Sequence, residues 1–286
     1  MSLSGMNVVD LPDAKLSAMA KDILAEKIHG ISFSPYGEGQ KPGDNVSKAQ
    51  IDQRLSVIEH NTNWIRSFSC TKGNELIPQV AKEKGLKTLV GAWLDDDLEN
   101  NEKEIEKLIE LANDGLVDIA AVGNEVLLRE ELTEAQLIDY IKRVKAALPN
   151  IDVGYVDAYY EFEDHPLITN ECDVILANCY PFWEGCMLEY SILYMKDMYR
   201  RATKMAADKK VIITETGWPD QGPDEWGAKP GFANAMKYFI GTYQWAAEDN
   251  VDVFYFSSFD EQWKVKDEGG VGAHWGLWDA HGNYKY

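Results

Sequence analysis

Acidic, amide and aromatic side chains stand at the downstream ends of the short apolar runs of this sequence, where they could do chemistry together. Tyr36 follows one run, Arg66 closes a second, Trp93 and Asp95 follow a third, and Asn124-Glu125 end a fourth. Asp157 with Tyr159, Tyr180 with Trp183, Glu215 with Trp218, and then Asp260, Glu261, Trp263 and Lys264 continue the series. Carboxyls accompanied by an arginine and a lysine suit proton transfer and the stabilisation of developing charge. Indole rings add flat apolar faces on which the C–H face of a sugar can stack. Glycoside chemistry needs both: a proton for the leaving oxygen and negative charge close to the anomeric carbon, which two carboxyls supply. Glu125 and Glu215 are the candidate pair, expected to meet about 5 Å apart across one pocket mouth.

Other chemistries find less support. The chain carries 28 Lys+Arg against 48 Asp+Glu, a net charge of −20, so nucleic acid and other polyphosphates meet a repulsive field. The four cysteines, Cys70, Cys172, Cys179 and Cys186, form no C-x-x-C pair and have no histidines at zinc spacing, so no metal is expected. Whether they form one or two disulfides or remain buried thiols stays open at this point. Asp95-Asp96-Asp97 lacks the glycine and the terminal glutamate of a calcium loop and reads as a solvated acidic turn. Gly37-Glu38-Gly39 is followed by a Pro42-Gly43 turn where a nucleotide fingerprint would open a helix. No Gly-x-Ser-x-Gly or His-Glu-x-x-His motif occurs, which argues against serine-hydrolase and zinc-protease readings. No cofactor is expected.

What must position the strand-end residues is a repeated strand–helix unit. Eight β-branched or aromatic runs, at 28–34, 63–69, 86–93, 116–123, 151–157, 173–179, 210–216 and 251–259, read as strands. They recur about every 32 residues, enough for a strand and a crossover helix. Between them apolar residues fall at helical spacing, as in Ile105, Leu108, Ile109 and Leu111 or in Leu137, Ile138, Ile141, Val144 and Leu148. Thr133-x-x-Gln136 predicts a capping box, and Lys84-Gly85 and Pro149-Asn150 predict helix ends. The fold class is α/β. An open doubly wound sheet also fits the alternation, but eight similar units without a break in composition favour a closed, single-domain (β/α)₈ TIM barrel over residues 28–286. Residues 1–27 are expected to be a helical segment packed on that barrel. No run approaches the ~20 residues of a membrane span. Met1–Gly5 lacks the basic and apolar stretches of a signal peptide, so the protein is expected to be cytosolic, or secreted, periplasmic or cell-surface if a leader has been removed.

Three segments then carry a resemblance. Val122-Gly123-Asn124-Glu125-Val126-Leu127, Ile213-Thr214-Glu215-Thr216-Gly217-Trp218-Pro219 and Phe259-Asp260-Glu261-Gln262-Trp263-Lys264 resemble the motif set of family 17 glycoside hydrolases, the β-1,3-glucanases and β-1,3-glucanosyltransferases. Gly30–Tyr36, Ile65-Arg66 and Ala273–Leu277 resemble the family pattern in the expected order, so the likeness covers nearly the whole chain. It implies a retaining double displacement on β-1,3-glucan, laminarin-type polysaccharide or oligosaccharide, with Glu125 as acid/base and Glu215 as nucleophile. It further implies that Asn124 binds the sugar 2-hydroxyl, that Arg66 and Tyr180 flank the nucleophile, and that Glu261 and Lys264 hold each other or sugar hydroxyls. Tyr36, Trp183, Trp218 and Trp263 complete the expected substrate-binding set, and a monomer is expected. Two departures stand out: Gln262, where relatives often carry Pro or Asn, and the short stretch between Tyr180 and Thr214. The latter leaves no room for the extra subdomain of plant relatives, so a cleft shallower on one side is expected. A glucanosyltransferase of the same mechanism, or a glucan-binding protein without turnover, remain the alternatives.

Overall fold

The computed structural model describes residue 8 and residues 10–286. Of the expected N-terminal segment, residues 1–7 and 9, including Met1–Gly5, therefore lie outside the described residues. Eight parallel strands follow in chain order: β1 Ile28–Ser32, β2 Thr62–Ser67, β3 Lys87–Ala92, β4 Ile119–Asn124, β5 Asp152–Ala158, β6 Val174–Asn178, β7 Val211–Thr216 and β8 Val253–Tyr255. Each pairs with its neighbours and β8 returns to β1 through Gly30↔Phe254 and Ile31↔Tyr255. That closure removes the open-sheet alternative. It depends on Gly30, where a Cβ would stand 2.4 Å from the Phe254 ring.

Strand alternation sorts the apolar residues into two cores. Leu89, Ile119, Ala121, Val156, Val174, Leu176, Ile212 and Phe254 fill the barrel interior, while their neighbours Val90, Ala120, Val122, Tyr155, Ile175, Ala177 and Ile213 face the helices. The helical layer comprises α1 Asp13–Ala25, α2 Lys48–Ile58, α3 Ile77–Glu83, α4 Leu98–Asn113, α5 Glu134–Ala147, α6 Glu161–Asp164, α7 Pro166–Glu171, α8 Leu188–Ala206 and α9 Phe232–Asp249. Each long helix buries a stripe at helical spacing: Leu16, Ala20 and Leu24 on α1, Ile51, Leu55 and Ile58 on α2. The Thr133–Gln136 capping box forms as the sequence predicts. The Asp95-Asp96-Asp97 run proves to be a capping turn, with Asp97 accepting from the Asn100 N–H at the start of α4.

All eight strands form where the sequence predicts them with shifted ends, and two differ most. The run 116–123 starts pairing only at Ile119 and extends through Asn124. The run 251–259 gives the short β8, because beyond Tyr255 the backbone turns to other partners: Ser257 N–H donates to Trp275 O (3.0 Å) and Ser258 N–H to Ser32 O (3.0 Å). The last segment, 275–278, thus lies over the mouth beside β8. All four cysteines are free thiols, with Cys70, Cys172 and Cys179 buried. Between β6 and β7 the chain has only the loop 179–187, α8 and a tight turn. Among the described residues no helix is long and apolar enough to cross a membrane.

Candidate active site

Simple alternation cannot deliver Glu215 to the barrel mouth. On β7, Ile212 points inward and Ile213 outward, so Thr214 should face in and Glu215 out. The register breaks here: Ala177↔Ile213 is followed by Asn178↔Glu215, leaving Thr214 as an extra residue. This bulge lets Thr214 and Glu215 both face the interior, while Thr216 points outward to the Tyr238 hydroxyl (2.5 Å). β4 uses the same device, since Ala121↔Gly154 is followed by Asn124↔Val156. Gly123, at φ +85°, absorbs the extra residue, and Glu125 itself has φ +53°. For a residue with a Cβ that conformation costs on the order of 1 kcal/mol or more. It is held by Glu125 N–H to Val156 O (2.8 Å) and by Leu127 N–H to the Tyr155 hydroxyl (2.9 Å), whose own proton goes to buried Asp157.

The two carboxyls meet different partners. Arg66, 1% exposed, donates from Nη1 to Glu215 Oε1 (2.5 Å) and from Nη2 to Asn124 Oδ1 (2.6 Å). The Tyr180 hydroxyl donates to Glu215 Oε2 (2.8 Å). The guanidinium also lies 4.2 Å over the Phe68 ring, which fixes its plane. Among the described residues Glu125 has no ion pair; its Oε1 accepts from Asn178 Nδ2 (2.8 Å). Burial, and then the negative charge of Glu215, push its carboxyl up to about 7. A carboxyl that keeps its proton near neutrality and a carboxylate clamped by a guanidinium and a phenol can act as acid and as nucleophile.

Both line one cleft of about 390 Å³, walled by Tyr159, Tyr160, Trp183, Phe256 and Trp275. Of the residues expected from the sequence, Arg66, Asn124 and Tyr180 join the carboxyl network, and Trp183 lines the cleft at 37% exposure. Glu261, Trp263, Lys264 and Tyr36 form an adjoining group on the β1–β8 side. There Glu261 pairs with Lys264, accepts from the Ser34 hydroxyl and takes Trp263 Nε1–H at 2.9 Å, while the Tyr36 hydroxyl accepts from Asn74 (3.2 Å). Lys264 reaches the cleft through Phe256, over whose ring its Nζ lies at 4.0 Å. Trp218 is the exception. It is 1% exposed, packs on Phe182 and Tyr238, and its Nε1–H donates to Lys229 O. The ring expected as a sugar platform is instead a packing residue, because the turn after the β7 bulge sends it outward.

Several cleft residues escaped the sequence reading, Asn178, Tyr160 and Glu268 among them. Asn178 stands at the end of β6, a position whose signal was available. Tyr160 adjoins Tyr159 and was passed over. Glu268 sits in the acidic stretch Lys266-Asp267-Glu268, which reads as solvated surface, yet it lines the cleft and accepts from Trp275 Nε1–H (2.7 Å). Burial raises its carboxyl to about 7 despite the opposing pull of Lys264.

Known proteins are similar to this chain in sequence and fold. The chain is 30% identical over 278 residues to a glucan 1,3-beta-glucosidase of Arthroderma benhamiae, covering 90% of this chain and 89% of that protein. A Saccharomyces cerevisiae glucan 1,3-beta-glucosidase is 25% identical over 297 residues, 94% of this chain and 95% of its own length. The crystal structure of a glycoside hydrolase family 17 beta-1,3-glucanosyltransferase from Rhizomucor miehei superposes with a TM-score of 0.80 at 27% identity, covering 91% of this chain and 96% of that one. Residues 30–276, the closed barrel with both carboxyl-bearing strands, match the model of the BtgE/BtgC glycoside hydrolase domain, and the chain belongs to that family.

Proposed function

We propose that this protein cleaves β-1,3-glucan with retention of anomeric configuration. Glu125 protonates the glycosidic oxygen while Glu215 attacks the anomeric carbon. Water then displaces the resulting glucosyl ester, giving its proton back to Glu125. One observation carries the reading: across a single cleft, one glutamate is paired with a buried guanidinium, and the other meets the Asn178 amide, with its pKa raised to about 7 by burial and by its partner's charge. In this reading Asn124, which accepts from Arg66 at 2.6 Å, binds the sugar 2-hydroxyl as charge develops. Trp183, backed by the buried Trp275, offers a stacking face, and Glu261 with Lys264 supports the wall beside Phe256. The names of the similar proteins support β-1,3-glucan as substrate. A monomer suffices, since one chain supplies the whole cleft. Proton NMR of the first product released from laminarin should show the β-anomer, and α-product at the earliest time would overturn retention.

A second reading, transfer to another sugar instead of water, is favoured by the aromatic wall Tyr159, Tyr160 and Trp183, which can seat an acceptor glucosyl unit. Products longer than the starting β-1,3-oligosaccharide distinguish it.

A further inference from the structure

The proton that Glu125 transfers can leave from either of two oxygens, and the surrounding side chains treat them unequally. Oε1 is engaged by the Asn178 amide at 2.8 Å, and Asn178 Oδ1 in turn accepts from the Thr214 hydroxyl at 2.9 Å. Both residues are buried, Asn178 at 2% and Thr214 at 0% exposure. Thr214 is the extra residue of the β7 bulge, so the distortion that brings Glu215 inward also aims this hydroxyl at the amide. With its carbonyl taken by Thr214, Asn178 presents its NH₂ to Glu125, and an amide N–H can only donate. The better acceptor of a neutral carboxyl is its carbonyl oxygen, so the carboxyl hydrogen belongs on the other one.

We infer that Asn178, oriented by Thr214, is a positioning residue that fixes the transferable proton of Glu125 on Oε2 and turns that oxygen toward the scissile bond. The inference rests on Glu125 being the acid/base. In the first step the Oε2 proton passes to the glycosidic oxygen, which takes the C–O electron pair as Glu215 forms its bond to the anomeric carbon. In the second, water attacks that carbon, the Glu215 ester bond breaks with its electrons returning to the carboxylate, and the proton of water returns to Oε2. Oε1 keeps its amide partner throughout, so Glu125 need not rotate between the two halves.

The charged and titratable groups facing Glu125 are Glu215 on β7, Arg66 on β2, Asp157 on β5, Tyr160 and Tyr180 beyond β5 and β6, and Arg129 in its own turn. The Asn178 bond acts on the same group in a known direction, favouring the ionised form. Its removal should therefore move the basic limb of activity upward.

The test is the pH dependence of kcat/KM on laminarin for the whole chain and for N178A, T214V, T214S and E125Q. N178A should shift the basic limb up by about 0.5–1 pH unit and lower kcat by roughly 10- to 100-fold with KM nearly unchanged. T214V should move both in the same direction by less, and T214S, which keeps the hydroxyl, should restore the limb. A limb that stays put in N178A while activity falls, or a T214V indistinguishable from the parent, would overturn the proposal. Should N178A fail to fold, the T214V and T214S pair decides alone. E125Q separates the two levels: a basic limb that survives there refutes Glu125 as the acid. A limb lost in E125Q but unmoved in N178A and T214V refutes only the role of Asn178.

Discussion

The neighbourhoods of Glu215 and Glu125 are built by the same device and serve opposite ends. Each glutamate follows a β-bulge near the C-terminal end of its strand, and each is turned inward by it. Beyond that they diverge. Glu215 meets Arg66 and Tyr180, a full positive charge and a phenolic donor, while Glu125 meets a neutral amide and carries a raised pKa of about 7. Both side chains are glutamates, so under the proposed assignment it is their neighbours that differ: Arg66, on β2 and far from both in sequence, pairs with Glu215, while burial and the charge of Glu215 raise Glu125. Arg66 holds Asn124 as well, so it also fixes the residue that adjoins Glu125.

The comparison can be broken most severely at the nucleophile. E215Q removes the proposed nucleophile and should lower kcat on laminarin by about 10⁴-fold or more with KM little changed. E125Q should cost about 10²- to 10⁴-fold on laminarin, and much less in the first step on an aryl glucoside whose leaving group needs no proton; equal losses on both substrates would contradict its role as acid. R66K keeps the charge but cannot fork between Glu215 and Asn124, and a loss of about 10- to 100-fold in kcat/KM is expected. The parent enzyme should lose activity as pH rises through about 7, because the acid must be protonated.

The smallest effect sharpens the contrast through stability. The Glu125 carboxyl binds its proton more tightly in the folded chain, about 7 against an ordinary 4.5, so stability falls as pH rises between those values and stays lower above them. E125Q should therefore be more resistant to urea than the parent at pH 8, by about 1–2 kcal/mol after allowance for cleft water. The gain should vanish at pH 4. A destabilised E125Q at pH 8 would show that burial of the charge is not the cost described here.

The barrel was legible because alternating β-branched runs and helical stripes recur at one spacing, and because Glu125 and Glu215 close two of those runs. The bulges were not. Period-two alternation through Ile212 and Ile213 sends Glu215 toward the helices, and only the pairing partner on β6 shows the skipped residue. Trp218 misled for a related reason: its distance from a strand end suggested the cleft, while the turn after Thr216 packs it beneath. Glu268 was hidden by its charged neighbours, since a single contact with Trp275 Nε1–H leaves no periodic trace. The eighth strand was drawn too long because the apolar run continues to Phe259, while after Phe256, which still donates to Thr216 O, the backbone finds its partners in β1 and in the segment around Trp275.

The central claim, that Glu215 and not Glu125 forms the bond to sugar, is tested most directly by labelling. A β-1,3-linked disaccharide fluoride bearing fluorine in place of the 2-hydroxyl slows both steps but keeps a good leaving group, so the ester accumulates. Mass spectrometry of the digested protein should place one glycosyl unit on the peptide containing Glu215. Label on the peptide containing Glu125 instead would contradict the account.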